Sequence, residues 1–467
     1  MTATLTNGRV LTVDDPADGS RVVEVPVATK EAVVAAVAAA RAAFPGWAAT
    51  APGERGAALN RAADAVADRA EELARLVTRE MGKPLDDARG GVAAGIDTLR
   101  QYAQLGPTHR GRSLAGNHDA TDLMVHEPRG VVAVLTPWND PVAVACGLIG
   151  AALVTGNTVV TKPSERTPGT GALLAELIAE QVPDGVLQHL TGDGAVGAQL
   201  VEQAVDVVAH VGSTATGRHI AAVCARTGAK AVLENGGSDP LIVDADVDPA
   251  WAAEQAATGA FANAGQICVA VERIYVHRDL ADEFLRHLVA RAEALRTGPG
   301  TDPGTQLGPL VDRRLRDAVH AQVSAAVAAG ARLLTGGLVP PGPGAFYPAT
   351  VLADCRDEMA VMREETFGPV APVAVVGSFD EALQRAAASP YGLAATVLTG
   401  SMTHAQRAWR ELPVGTVKIN EVFGGAPAGA AHPRGASGQG FGYGPELLDE
   451  LTATKVVHIR PLPESRG

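Results

Sequence analysis

The sequence predicts an α/β protein with parallel β-sheets and more than one domain. From about residue 130, β-branched runs alternate with helical segments, as in VVAVLTP, ACGLIGAALVTG and NTVVTKPSE. This rhythm requires crossover connections, which join parallel strands. A second series of the same kind begins near Pro249. The length of 467 residues exceeds one ordinary hydrophobic core, so two or three domains are expected.

The N-terminal region predicts structural helices. Residues 29–47 open with Thr29, a good N-cap, and then place apolar side chains near helical spacing. A longer helical stretch follows from about Glu54 to Met81. Its many alanines favour a helix, but they make its apolar and polar faces hard to distinguish.

The first α/β series predicts an open sheet of nucleotide-binding type. After the segments above come a helix through ALLAELIAEQ and strands in GVLQHLTG and VDVVAHVGS. A helix from about Thr216 to Thr227 and a strand in KAVLEN complete the series.

The second series predicts a separate domain, because it has its own helices and strands. It contains a helix from Pro249 through Phe261, a strand in RIYVH and a long helix from Leu280 to about Leu295. Later strands are expected in APVAVV, AATVLTG and GTVKINE. The PPGPG run at 340–344 is interpreted as a turn-rich connection.

The charge distribution argues against nucleic acid or an anionic membrane as a partner. The formal net charge is −13, and no basic block occurs. The first twenty residues lack the charged and apolar regions of a signal peptide, and no window of about twenty residues is free of charge and turn formers. A cytoplasmic protein is expected.

Four cysteines, Cys146, Cys224, Cys268 and Cys355, lie far apart and form no CxxC pair. Their spacing predicts neither a disulfide framework nor a metal site, so we expect reduced thiols and no bound metal. A free cysteine is commonly a small buried hydrophobe. A reactive role for one of them therefore needs further support from the sequence.

Two residues suggest such a role. Glu234 ends a predicted strand in VLENGGSDP, and Cys268 lies in FANAGQICVAVERIYV. A thiolate can add to an aldehyde carbonyl, and the adduct can pass hydride to a nicotinamide and leave a thioester for water to hydrolyse. A nearby carboxylate is the natural base for that water. Taken alone, Glu234 also fits a solvated residue at a strand end.

Six segments together resemble the aldehyde dehydrogenase superfamily, in its order and spacing: TPWNDP, NTVVTKPSE, VGSTATG, LENGGSDP, FANAGQICVAVERIYV and EETFGPV. The resemblance runs from about residue 30 to the C-terminus. It implies a Rossmann-like cofactor domain (1–109 and 129–235), a catalytic α/β domain (236–440) and a β oligomerisation arm (110–128 and 441–467). The arm, a hairpin plus a terminal strand in VVHIRPL, would join a homodimer or homotetramer.

The resemblance also assigns roles to single residues. It makes Cys268 the nucleophile, Glu234 the general base and Asn139 a donor to the oxyanion. The expected cofactor site contains Thr136, Pro137, Trp138, Lys162, Ser164, Glu165, Gly212, Ser213, Gly236, Glu365 and Phe367. The expected substrate-lining residues are Asp140, Ile267, Val269 and Asn420.

Within that cofactor site, Lys162 and Glu165 would hold the adenosine ribose, and Ser213 begins a helix whose N-terminus could accept a pyrophosphate. Glu365 and Phe367 would contact the nicotinamide ribose and ring. Glu165 would repel a 2′-phosphate, so NAD is the expected cofactor and NADP the alternative.

Several positions depart from the pattern of the family. Asp140 stands where many members have an aromatic residue, and either it selects a hydroxylated or cationic aldehyde or it caps the helix that starts near Val142; we favour the cap. Leu148 and Gly442 replace a Lys and a Glu that are thought to carry protons from the base, which predicts another proton route and a different pH profile. Asn235 and Ser238 stand where Leu and Lys are common.

The resulting hypothesis is oxidation of a small-molecule aldehyde to a carboxylic acid with hydride transfer to NAD(P)⁺. One alternative is a CoA-acylating aldehyde dehydrogenase, which Glu234 opposes because transfer to CoA needs no base for water. The other is a non-catalytic homologue that binds nucleotide, which has no use for Cys268, Glu234 and Asn139 together.

Overall fold

The computed structural model describes residues 6–424 and 429–462. The parts of the predicted domains that fall on 1–5, 425–428 and 463–467 lie outside the described residues. The N-terminal region forms a hairpin and four helices: β1 (Thr6–Asp14), β2 (Arg21–Ala28), α1 (Lys30–Ala49), α2 (Pro52–Asp68), α3 (Ala70–Met81) and α4 (Leu85–Leu105).

Thr29 caps α1 as predicted, because its side chain accepts a hydrogen bond from the Ala32 amide. The single helix predicted over 54–81 is wrong. The chain leaves the helical conformation at Arg69 (φ −113°, ψ 17°), and α2 and α3 are separate helices. No glycine or proline marks this break in the sequence, so the alanine-rich pattern runs through it.

The middle of the chain begins with two strands that stand apart and continues with the predicted alternation of strands and helices. These elements are β3 (Arg112–Leu114), β4 (Thr121–Pro128), β5 (Val131–Leu135), α5 (Pro141–Val154), β6 (Thr158–Lys162), α6 (Pro168–Ala179), β7 (Leu187–His189), α7 (Gly194–Val201), β8 (Val207–Val211), α8 (Thr214–Thr227) and β9 (Lys230–Glu234).

The C-terminal half contains the second series and the last strand. Its elements are β10 (Asp239–Val243), α9 (Pro249–Phe261), β11 (Val271–His277), α10 (Ala281–Ala294), α11 (Arg313–Ala328), β12 (Arg332–Thr335), β13 (Thr350–Ala353), β14 (Val370–Val376), α12 (Phe379–Ala387), β15 (Tyr391–Gly392), β16 (Ala394–Leu398), α13 (Met402–Glu411), β17 (Thr416–Ile419), β18 (Arg434–Gly435), β19 (Gly438–Gln439), α14 (Glu446–Glu450) and β20 (Thr452–Ile459).

Two mixed sheets organise these elements, which confirms the predicted α/β class. The first has the order β19-β9-β8-β5-β6-β7, in which only β19 is antiparallel to its neighbour. The second has the order β12-β13-β14-β11-β10-β16-β17, in which only β12 is antiparallel. Parallel strands end at the same edge of a sheet, and ligands of such sheets bind beyond the carboxyl ends.

A third, antiparallel sheet joins the hairpin region to the last strand, with the order β20-β4-β3. These strands lie within the ranges that the sequence assigns to the oligomerisation arm. Both β20 and β3 are edge strands of this sheet. Val456 and Ile459 on β20 are 66% and 57% exposed.

Among the described helices, only α1 has the length and composition of a membrane span. One of its faces packs on the first sheet through Val33, Val37 and Ala40, and the Thr158 hydroxyl donates to the Ala40 carbonyl. The helix also carries Arg41 and Pro45. The packing of α1 on the first sheet makes this helix part of the core around that sheet.

Candidate active site

A cleft of about 1150 Å³ opens between the two large sheets. The carboxyl ends of β5, β6 and β8 form one wall, and the chain around Cys268 together with α11 and residues 365–367 forms the other. The predicted site residues that line this cleft are Thr136, Pro137, Trp138, Asn139, Asp140, Lys162, Ser164, Glu165, Gly212, Ser213, Gly236, Ile267, Cys268, Glu365 and Phe367.

One end of the cleft has the features of a nucleotide site. Ser213 is the N-cap of α8, and Ala215, Thr216 and Ile220 from the first turns of that helix also line the cleft. The unpaired amides of a helix N-terminus bind phosphate oxygens. An elongated dinucleotide therefore fits the residues that are present.

Lys162 and Glu165 lie together at the end of β6. The buried Lys162 ammonium donates to the carbonyls of Pro163 (2.7 Å) and Gly192 (2.8 Å), and the Glu165 carboxylate lies 3.9 Å from it. Burial lowers the pKa of Lys162. The Glu165 side chain is 46% exposed, so its carboxylate is accessible to a ribose diol.

Cys268 follows a strained loop that the sequence did not reveal. Asn263 and Ala264 have positive φ angles of 49° and 54°, which cost about 1–3 kcal/mol each in residues other than glycine. The Asn263 amide donates to the Gln266 carbonyl, and the Gln266 amide donates back to the Asn263 carbonyl. The Gln266 side chain also accepts from the Val311 amide, so this loop is tied to the chain before α11.

Burial raises the pKa of the Cys268 thiol to about 12, and the carboxylates of Glu234, Asp239 and Glu365 add to the rise. The Val269 amide acts in the opposite direction, because its hydrogen bond favours the thiolate. The thiol is thus protonated in this state of the protein. It needs a nearby positive charge or a base before it can attack.

Asn139 lies in the wall of the cleft beside residues 263–268. These residues form the nucleophile loop, named after the predicted role of Cys268. Its side-chain amide donates to the Gln266 carbonyl at 2.9 Å. That bond uses one of the two N–H groups and fixes the plane of the amide. The second N–H group is available for an oxygen of a bound substrate.

For Asn139→Ala, we expect kcat to fall by about 10²- to 10³-fold, since one preorganised donor to an oxyanion contributes that much. Steady-state kinetics with a saturating cofactor would measure this loss. Cofactor affinity, followed by fluorescence titration, serves as the control because Asn139 donates only to the nucleophile loop. A loss of less than about fivefold would remove Asn139 from the oxyanion site.

Glu234 ends β9 as predicted, but its carboxylate faces Gly442 and does not line the cleft. It accepts a hydrogen bond from the Gly442 amide at 3.1 Å. A Cβ atom at 442 would lie 2.2 Å from the Glu234 side chain, so a residue other than glycine would displace that side chain. Burial raises the pKa of Glu234 to about 7.

The other departures from the family, at positions 148, 235 and 238, lie among buried or hydrogen-bonded groups. Leu148 is buried in the core beside α4 and offers no proton route. The Asn235 amide donates to the Ala436 carbonyl and its backbone N–H to Ser437, which ties β9 to the segment before β19. The Ser238 carbonyl accepts from the buried Arg273 guanidinium.

Glu272 is a positioning residue that sequence analysis missed. Its buried carboxylate accepts from the amides of Thr366 (2.8 Å) and Phe367 (2.9 Å) and so holds Phe367 at a positive φ of 53°. Phe367 then meets the Trp138 ring edge-on, with centroids 5.5 Å apart. A glutamate inside the apolar strand VERIYV is the sequence signal of this role.

Glu365 lies just before Phe367 and lines the cleft. Its carboxyl accepts from the Gly237 amide at 3.1 Å. Burial, together with the charge of Glu272, raises the pKa of Glu365 to about 8.

The predicted helix cap at Asp140 is wrong. Asp140 precedes α5, but its side chain makes no capping hydrogen bond. The helix begins with Pro141, and the Asp140 carboxylate, which could have accepted from the amides of the first helical turn, lies 3.4 Å from the Lys83 ammonium instead. Both residues line the cleft, and selection of a hydroxylated or cationic aldehyde by Asp140 stays a prediction.

Two predicted substrate residues do not line the cleft. The Asn420 amide donates to the Thr399 carbonyl and accepts from the Thr399 backbone N–H, at a positive φ of 63°. It therefore joins the end of β17 to the end of the neighbouring strand β16. Val269 contributes its backbone amide to the Cys268 sulfur, and its side chain is absent from the lining.

Within residues 6–424 and 429–462, the side chains that could together hold a metal ion are His109, His126 and Asp449. None of the three lines the cleft. His109 and His126 stack with ring centroids 4.3 Å apart, and His109 also bonds Asp449.

Comparison with known proteins identifies close relatives over the whole chain. Residues 4–457 match the sequence model described as "Aldehyde dehydrogenase family". The chain is 39% identical over 440 residues to a succinate-semialdehyde dehydrogenase of Paenarthrobacter nicotinovorans, which covers 92% of this chain and 97% of the relative.

Solved structures give the same result. An aldehyde dehydrogenase from Bacillus cereus in complex with NAD⁺ superposes with a TM-score of 0.94 at 34% identity, covering 97% of this chain and 94% of the other. An NADP-dependent enzyme from E. coli also superposes with a TM-score of 0.94, at 33% identity, covering 97% of this chain and 95% of the other.

Proposed function

The chain belongs to the aldehyde dehydrogenase family, and we propose that Cys268, Glu234 and Asn139 carry out its NAD(P)⁺-dependent oxidation of an aldehyde to a carboxylic acid. The observation that supports this assignment best is the position of Cys268. Of the four cysteines, it is the only one that is partly exposed and the only one in the cleft.

In this proposal, the Cys268 thiol passes its proton to solvent, the thiolate attacks the aldehyde carbon, and the second N–H of Asn139 stabilises the alkoxide that forms. The cofactor, when bound, supplies a cationic ring that accepts hydride. The Val269 amide supports the thiolate, because it already donates to the sulfur. The strained Asn263–Ala264 turn fixes the direction from which the sulfur meets its substrate.

Loss of hydride leaves a thioester on Cys268, and Glu234 would deprotonate the water that hydrolyses it. A carboxyl with a pKa near 7 is well suited to a general base at neutral pH. Transfer of the acyl group to CoA would need no such base. The raised pKa of Glu234 therefore supports hydrolysis over CoA acylation.

Glu165 would favour NAD⁺ over NADP⁺ through repulsion of a 2′-phosphate. For Glu165→Gln, we expect the ratio of kcat/KM for NADP⁺ to that for NAD⁺ to rise by about tenfold, because the repelling charge is lost and the side-chain shape is kept. Parallel kinetics with both cofactors would measure this ratio. An unchanged ratio would show that Glu165 does not select the cofactor.

The decisive experiment for the function follows formation of the reduced cofactor with a panel of aldehydes, with and without CoA. Turnover without CoA and release of a free carboxylic acid would support the hydrolytic mechanism. Turnover only with CoA would contradict the role of Glu234. Cofactor binding without any turnover would identify a nucleotide-binding homologue.

We also propose that 110–128 and 441–467, which contain β3, β4 and β20, form the oligomerisation arm, with 1–109 and 129–235 as the cofactor domain and 236–440 as the catalytic domain. The apolar side chains on the exposed edge strand β20 support pairing with a second copy of the chain. Analytical ultracentrifugation would distinguish a dimer from a tetramer. A cytoplasmic enzyme without a nucleic acid or membrane partner remains the expectation from charge and sequence.

A further inference from the structure

An ion pair lies in the wall of the cleft immediately after Asn139. The Lys83 ammonium is 3.4 Å from the Asp140 carboxylate, and both residues line the cleft. The Lys83 side chain is only 8% exposed, whereas the Asp140 side chain is 40% exposed. The carboxylate is therefore the accessible member of the pair, with the ammonium behind it.

The fold makes room for this carboxylate. A Cβ atom at Gly91 on α4 would lie 2.6 Å from an oxygen of Asp140. The absence of a side chain at Gly91 therefore leaves space for the Asp140 carboxylate. The carboxylate does not cap α5. In the part of the chain that the structure describes, Lys83 is its one side-chain partner, so acceptor positions remain for another molecule.

The cleft that contains the pair also has large apolar side chains in its wall. Side chains of Trp138, Val144, Ile267, Leu315 and Phe423 line the same cleft. Desolvating a lysine and a carboxylate in such a wall costs free energy that a hydrophobic pair would not. An ion pair at this place therefore contributes little to the stability of the fold, but it can recognise a polar group of a ligand.

The charges indicate which aldehyde fits. Lys83 and Asp140 compensate each other, and the guanidinium of Arg166 is already paired with Asp312 at 2.8 Å. Asp87 and Arg314, which carry opposite charges, line the cleft as well, and burial raises the pKa of Asp87. A paired carboxylate and ammonium offer an acceptor and a donor side by side with no net charge, which matches a hydroxyl group.

We propose that the Asp140–Lys83 pair binds a hydroxyl group of the substrate, so that neutral hydroxylated aldehydes are preferred over unsubstituted, anionic or cationic ones. The hydroxyl donates to the Asp140 carboxylate and accepts from the Lys83 ammonium. This inference rests on the proposed function, because it takes Cys268 as the point of attack.

The test compares kcat/KM for glyceraldehyde, propanal, succinate semialdehyde and betaine aldehyde. The first two share a three-carbon chain and differ in hydroxylation. We expect a glyceraldehyde-to-propanal ratio of about ten or more, corrected for hydration, since a hydrogen bond to a charged group contributes about 1.5–3 kcal/mol. Asp140→Leu should lower this ratio by about tenfold or more.

Two further variants complete the design. Lys83→Met combined with Asp140→Leu removes both charges, so no unpaired ammonium is left in the wall, and the ratio should fall in the same way. Asp64→Leu breaks an exposed pair with Arg100 outside the cleft and should leave the ratio unchanged. Thermal unfolding of each variant would check that the fold is intact.

Either a ratio near one in the natural protein, a ratio that Asp140→Leu does not alter, or a preference for a charged aldehyde would overturn the inference. Turnover of propanal without a preference for the hydroxylated aldehyde would do so while leaving the proposed function intact. Absence of turnover with every aldehyde would instead reject the proposed function itself.

Discussion

Replacing Cys268 with alanine is expected to abolish aldehyde oxidation, with kcat falling by about 10⁴-fold or more. The reason is structural: the three other cysteines are buried, and none of them lines the cleft. No second thiol can therefore take over the attack on the aldehyde. Formation of the reduced cofactor under saturating aldehyde measures the loss.

The affinity of the Cys268→Ala variant for NAD⁺ is the essential companion measurement. The helix N-terminus at Ser213 and the Lys162–Glu165 pair lie on other elements, so cofactor binding should survive. Cys224→Ala is the matched control, because Cys224 is a buried residue of α8 outside the cleft. Substantial turnover by Cys268→Ala would contradict covalent catalysis by this residue.

Much of the fold could be predicted because its signals are local. Alternating β-branched and helical segments specify parallel sheets. Thr29 indicates the start of α1 from the local sequence alone, without knowledge of tertiary contacts. The break at Arg69 could not be predicted, since neither glycine nor proline occurs there. The direction of the chain at that point depends on how α2 and α3 pack, which is tertiary information.

The composition of the site was predictable from motifs, but several orientations were not. Aspartate before a proline at a helix start is a common cap, yet Asp140 pairs with Lys83, which is distant in sequence. Asn420 has the residue type of a polar site but uses its amide to join the ends of β16 and β17. Such choices depend on contacts between remote segments, so motifs alone do not determine them.

The change Glu234→Gln is expected to separate the two halves of the reaction. Attack by Cys268 and loss of hydride do not require the base for water, so one equivalent of reduced cofactor should form rapidly. Hydrolysis of the thioester should then slow by about 10²- to 10⁴-fold, the usual contribution of a general base. Rapid-mixing kinetics would show a burst followed by a slow steady state.

The pH dependence gives an independent measure of the same role. A general base acts in its charged form, and burial keeps the Glu234 carboxyl protonated up to a pKa of about 7. The hydrolytic rate of the natural protein should therefore rise as the pH increases through about 7 and fall below it. Glu234→Gln should lose this dependence, and Glu358→Gln, at an exposed glutamate paired with Arg356, should keep it.

These two measurements also test how Glu234 reaches the water. In the structure its carboxylate is bonded to the Gly442 amide and does not line the cleft, so catalysis requires it to rotate toward Cys268. If Glu234 is the base, the burst and the loss of pH dependence will occur together in Glu234→Gln. A burst with the pH dependence retained would instead mean that another group activates the water and that the carboxyl beside Gly442 is structural.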